Sequence, residues 1–119
     1  MELIDEVAEE LGCERDEAER LAVAVIATIE ERIPVGDVAE LEAELPEHVR
    51  ERMAEVDRIL DVPGMDDEAF RTRVAHRLRM TLDDAERTIT AVLRALSSCL
   101  SPREWRRARL PRMTLQPAP

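Results

Sequence analysis

Five arginines, Arg103, Arg106, Arg107, Arg109 and Arg112, gather around Trp105 with only Glu104 opposing them. Guanidinium groups with an interleaved aromatic could grip phosphates and stack a base, as single-stranded nucleic-acid surfaces do. The same arginines could instead pair with carboxylates, within the chain or across a dimer, while Trp105 packs as an ordinary apolar residue. The balance of charge favours pairing. Residues 1–62 carry twenty acids and six arginines, a net −14, and residues 63–119 carry seven acids and eleven arginines, a net +4. A basic end and an acidic half attract each other over several ångströms.

Other chemistry is poorly supplied. A di-metal centre in a helix bundle needs Glu-x-x-His, which brings both ligands to one helix face. At that spacing His48 is preceded by Leu45 and His76 by Arg73. Glu44, His48 and Glu51 are usably spaced, but Pro46 breaks the helix between the first two. No Ser or Cys lies in a strand-turn-helix elbow, and Gly12, Gly36 and Gly64 are isolated, so no phosphate cradle is expected. Cys13 and Cys99 lack a CxxC spacing and are expected to be free, partly buried thiols. No catalytic, metal-binding or cofactor-binding residue is expected.

The elements that must position these residues read as helices. Only Phe70 and Trp105 are aromatic, while apolar residues make up 45% and charged residues 37% of the 119. Such a chain builds an aliphatic core from amphipathic helices. Seven segments follow from periodicity and punctuation. The first runs from Glu2 to Leu11 and stops at Gly12; the second runs from Arg15 to Ile33, apolar all round from Leu21 to Ala27. Gly36 and Asp37 start a third, from Val38 to Leu45, and Pro46 starts a fourth that reaches Leu60. After the linker Asp61-Val62-Pro63-Gly64, Asp66 caps a fifth helix to Arg79. Thr81 caps a sixth to Leu100, and Ser101-Pro102 opens a seventh to Arg109.

The segments repeat. Val7-Ala8 and Asp16-Glu17-Ala18-Glu19-Arg20 return as Val74-Ala75 and Asp83-Asp84-Ala85-Glu86-Arg87, at a constant offset of 67. Such self-similarity predicts two copies of one helical unit, about 1–62 and about 66–111, each burying its apolar face on the other. The second copy lacks a long helix after Pro111, so it is expected to be truncated, with residues 112–119 frayed. Acids at each long helix start suit the helix dipole, and Asp16–Arg20 and Asp83–Arg87 are spaced as i,i+4 ion pairs. Those acidic turns also argue against helix-turn-helix DNA binding over Val7 to Ile29 or Val74 to Leu96, because they would meet phosphates.

The order of Leu11-Gly12, Asp16-Glu17-Ala18-Glu19, Arg32-Ile33-Pro34, Gly36-Asp37 and Leu45-Pro46 resembles the prokaryotic family called domain of unknown function 2267. The resemblance spans nearly the whole chain and implies an all-helical fold of tandem repeats, with no activity and no site residues to carry over. The second copy departs from the pattern at Pro102 and at Arg106-Arg107-Ala108-Arg109.

The expectation is one all-α domain over 1–119, a bundle of about seven helices. The N-terminus is acidic where a signal peptide is basic, and no apolar run approaches the ~20 residues that span a bilayer. A cytoplasmic, non-catalytic protein-interaction or self-association module is therefore expected. Its contact surface would be Arg103, Trp105, Arg106, Arg107, Arg109 and Arg112, and its partner an unidentified protein or a second copy. A nucleic-acid-associated regulator using the same arginines is the alternative, and an enzyme with a pocket between the copies is the third reading.

Overall fold

Each long helix begins and ends for a local reason. In the computed structural model, which describes residues 2–107, α1 (Leu3–Leu11) stops at Gly12, whose φ of 67° returns its N–H to the Ala8 carbonyl. A residue in that left-handed conformation is a common helix stop because it satisfies carbonyls left without a partner. α2 (Arg15–Arg32) opens with Asp16 and Glu17 and ends at Ile33, held extended before Pro34. α5 (Asp67–Leu78) starts where the Asp66 carboxylate accepts the Ala69 N–H at 2.8 Å. α6 (Leu82–Cys99) starts where the Thr81 hydroxyl accepts the Asp84 N–H at 3.1 Å. Both are side-chain N-caps. No strand occurs among the described residues, and none of their helices is long and apolar enough to cross a membrane.

Four helices carry most of the core, and Leu41, Val49, Met53 and Met65 extend it. α1 lies between α2 and α6, α5 lies between α6 and α2, and α2 also meets α6. The first helix of each half thus packs on the second helix of the other half. Ile4, Val7, Ile26, Ile29, Phe70, Val74, Ile89, Val92, Leu93 and Leu96 are sealed in this interior. As its apolar run predicts, α2 is buried on every side through its middle. The boundaries keep the offset seen in the sequence. α2 and α6 are both 18 residues long, and Arg15 and Leu82, their first residues, stand 67 apart.

Two shorter helices depart from expectation. α3 (Val35–Ala43) begins three residues before the predicted Val38, with Pro34 as its N-cap, and ends before Leu45. Proline suits the start of a helix because its fixed φ is helical and it has no N–H to satisfy. α4 (Glu47–Met53) stops seven residues short of Leu60. Beyond it the chain tightens into turns, with Glu55 N–H donating to Arg52 and Val56 N–H to Met53, then runs over the end of α2. There Ile59 N–H donates to the Glu31 carboxylate at 2.8 Å and Val62 N–H to the Glu31 carbonyl at 2.9 Å. Those bonds draw the backbone out of the helix and leave Leu60, which the helical period would bury, exposed beside Ile59. Last comes α7 (Pro102–Arg107), which lies against α3.

The acidic helix starts carry ion pairs one residue from where the spacing placed them. Arg20 reaches Glu17 at 2.6 Å and Arg87 reaches Asp84 at 3.7 Å, both i,i+3 instead of Asp16–Arg20 and Asp83–Arg87. Residues three and four apart are equally neighbours on a helix, so either partner is in reach.

Candidate functional site

The arginine cluster singled out from the sequence is partly in view. Ser101 begins α7: its hydroxyl accepts the Glu104 N–H at 3.2 Å, while its own N–H and hydroxyl donate to the Glu44 carboxylate at 2.6 and 3.0 Å. This locks α7 to the end of α3. Trp105 then turns inward and packs, half-buried, beside the core, as does Val38, 67 residues earlier. Arg103 and Arg106 remain exposed on the same helix. Arg107 closes α7, and Arg109 and Arg112 lie outside the described residues. Glu104, between the arginines, is buried with one carboxylate oxygen unpartnered. Burial, with Glu44 and Asp37 nearby, pushes its carboxyl above the usual carboxylate range.

A more developed polar centre sits where the sequence reading saw only a helix end. Glu30 and Glu31, in the last turn of α2, are both fully buried. Glu31 receives two guanidinium forks from α5. Arg73 donates through Nε and Nη2 at 2.6 and 3.1 Å, and Arg77 through Nη1 and Nη2 at 3.0 Å each. Arg77 also reaches the Thr28 hydroxyl at 2.7 Å and the Asp57 carbonyl at 3.0 Å. Fork-to-carboxylate pairs of this kind are strong and directional. Burial alone would raise the Glu31 carboxyl, but these two arginines and the Ile59 N–H bring it down to about 2.

Glu30 has the opposite fate one residue away. Arg58 contacts its Oε1 and, at 2.9 Å, the Glu42 carboxylate of α3, so two acids share one cation. Oε2 of Glu30 is buried and receives no hydrogen bond from a donor group. Burial, together with the facing Glu42, pushes the Glu30 carboxyl up to about 8, while Glu42 itself is lowered, chiefly by the hydrogen bond from Glu30. Beside this pair Arg32 bonds Asp67 at 2.8 Å and lies over the Phe70 ring at 5.9 Å. A signal for this centre was present in the sequence: carboxylates in a last helical turn face the negative end of the helix dipole. Two acids there need cations to hold them.

His48 and Cys99 bond within the fold. His48 bridges Glu2 of the N-terminus at 2.8 Å and Glu19 of α2 at 3.2 Å, and the Glu19 bond holds its ring above its ordinary pKa. Arg52 also binds Glu19, tying α4 to α2. Among the described residues no three His, Cys, Asp or Glu are placed to hold a metal ion. Exposed His76 lines an open depression of about 560 Å³ beside the Val62–Asp66 connection, with Thr72, Glu68 and Arg73. Cys13 and Cys99 are free and half-buried, and burial raises both thiols. The Cys99 thiol donates to the Glu44 carbonyl at 3.2 Å.

Fold and polar centre together define an all-helical protein whose buried charges join its elements. The chain belongs to the family described as uncharacterized conserved protein DUF2267, whose model matches residues 1–113. No curated protein matches it.

Proposed function

We propose that the chain is a non-catalytic interaction module that associates with itself or with an acidic protein through the exposed arginines of α7. The observation that carries this reading is the contrast among its arginines. Arg58, Arg73 and Arg77 are consumed by interior carboxylates, whereas Arg103 and Arg106 are exposed and form no ion pair among the described residues. Residues 1–62, at net −14, supply a complementary surface on a second copy. Trp105 supports this reading over nucleic-acid binding, because a ring engaged in packing offers less face for a base. The shared offset of 67 in the starts of α2 and α6 supports reading the chain as two copies of one unit within one domain. A cytoplasmic location belongs to the same proposal.

Size-exclusion chromatography with light scattering, at low and high salt, tests it. A dimer or larger species at low salt should dissociate at high salt, and Arg103→Glu with Arg106→Glu should abolish it. A strict monomer at both salts, with no acidic partner retained, would overturn the proposal. Binding to DNA or RNA at low salt, lost in the same double variant, would favour the nucleic-acid reading instead.

A further inference from the structure

We propose that residues 57–62 form a proton-dependent latch: one proton shared between Glu30 and Glu42 holds the segment on the end of α2, and its loss releases the segment. This rests on the interior geometry and is independent of the self-association reading.

The groups that face Glu30 come from three elements. α3 contributes Glu42, the 57–62 segment contributes Arg58, and α4 contributes Arg50, which acts on Glu42. On α2 itself the neighbouring charges are engaged elsewhere, Glu31 with Arg73 and Arg77 and Arg32 with Asp67. Glu30 and Glu42 therefore meet with a single guanidinium, that of Arg58, bonded to both. When Glu30 carries a proton it can donate to Glu42, and the remaining single negative charge is matched by Arg58, which bonds both. When both acids ionise, that donor is gone and the buried Glu30 carboxylate must share Arg58 with a second charged carboxylate, a costly arrangement in a protein interior.

The structure has one cheap way to relieve this. Arg58 lies on a segment with no regular structure, fastened by few bonds: Arg58 itself, the Ile59 and Val62 amides on Glu31, and the Asp57 carbonyl on Arg77. Ile59 and Leu60 are already exposed, so lifting residues 57–62 sacrifices chiefly the packing of Val62, while Met65 in the core and the Asp66 cap of α5 keep the following residues in place. Release hydrates Glu30 and leaves the four-helix core in place.

Hydrogen exchange of the full chain at high salt, at about pH 6 and about pH 9.5 and corrected for intrinsic rates, reads the latch directly. Protection of the Ile59 and Val62 amides should fall at least about tenfold at the higher pH, while the Leu100 amide, bonded to Leu96 within α6, keeps its protection. In Glu30→Gln the segment should stay protected at both pH values. Glu42→Gln should behave likewise, and it decides the matter if the first variant does not fold. Unchanged protection in the natural chain, an equal loss in the Gln variants, or a parallel loss at Leu100 would each overturn the latch.

Discussion

Glu30 and Glu31 are adjacent, equally buried and chemically identical, yet they respond to pH in opposite directions. Glu31, held at about 2, contributes stability that is fully present above the ordinary carboxylate value of 4.5 and is lost as pH falls towards 2. The shift corresponds to about 3 kcal/mol, a large share of a small protein's stability. Glu30, held at about 8, contributes stability that is present below 4.5 and is lost as pH rises through 8. His48, raised by its bond to Glu19, acts in the same alkaline sense above its ordinary value of 6.5. Urea unfolding across pH should therefore show stability falling on both flanks. Glu31→Gln should remove the acid-side loss and lower stability at neutral pH by about 3–5 kcal/mol, because Arg73 and Arg77 are left with no carboxylate. A neutral-pH change below about 0.5 kcal/mol, the size of an ordinary surface substitution, would contradict the account of Glu31.

The helix ends offer a cleaner comparison, since α1 and α5 stop in the same way with different residues. Gly12 at φ 67° and Arg79 at φ 55° both occupy the left-handed region, and Cys13 and Met80 N–H donate to Ala8 and Ala75 in the same pattern. An arginine pays a steric penalty there that glycine avoids. Arg79 is exposed, so Arg79→Gly should stabilise the protein by about 1 kcal/mol, seen as a raised Tm. A lowered Tm would show that the Arg79 side chain contributes more than its backbone costs. Asp66→Ala and Thr81→Ala should each cost about 1 kcal/mol as their caps are lost. These ends were legible because caps, prolines and acidic first turns act locally. The end of α4 was not. Val49, Met53, Val56 and Leu60 continue a helical period, and only the bonds from Ile59 and Val62 to Glu31, 28 and more residues earlier, show why the chain leaves it. The arginines of α7 were legible as a cluster, but the inward turn of Trp105 depends on α3 and the core.

Across the whole molecule, neither half holds a complete interior. α1 needs α6, α5 needs α2, and the Glu31 centre draws on α2, α5 and the 57–62 segment together. Residues 1–62 and 63–119 made as separate pieces should each show little helix by circular dichroism and regain it when mixed. A cooperative melt from either piece alone would refute that interdependence. The likeness of residues at an offset of 67 was legible in the sequence, but which helix packs on which was not, because an apolar stripe does not name its partner.

That crossed packing also has a cost in time. Helical proteins fold quickly when their contacts are local. Here the Asp5–Arg15 contact closes a span of 10 residues, whereas the seam between α1 and α6, marked by Glu10 and Arg94, closes one of 84. Closing the longer span costs about 2 kcal/mol more in chain entropy. If the seam must form before the barrier is crossed, that alone slows folding by about thirtyfold relative to a bundle of neighbouring hairpins.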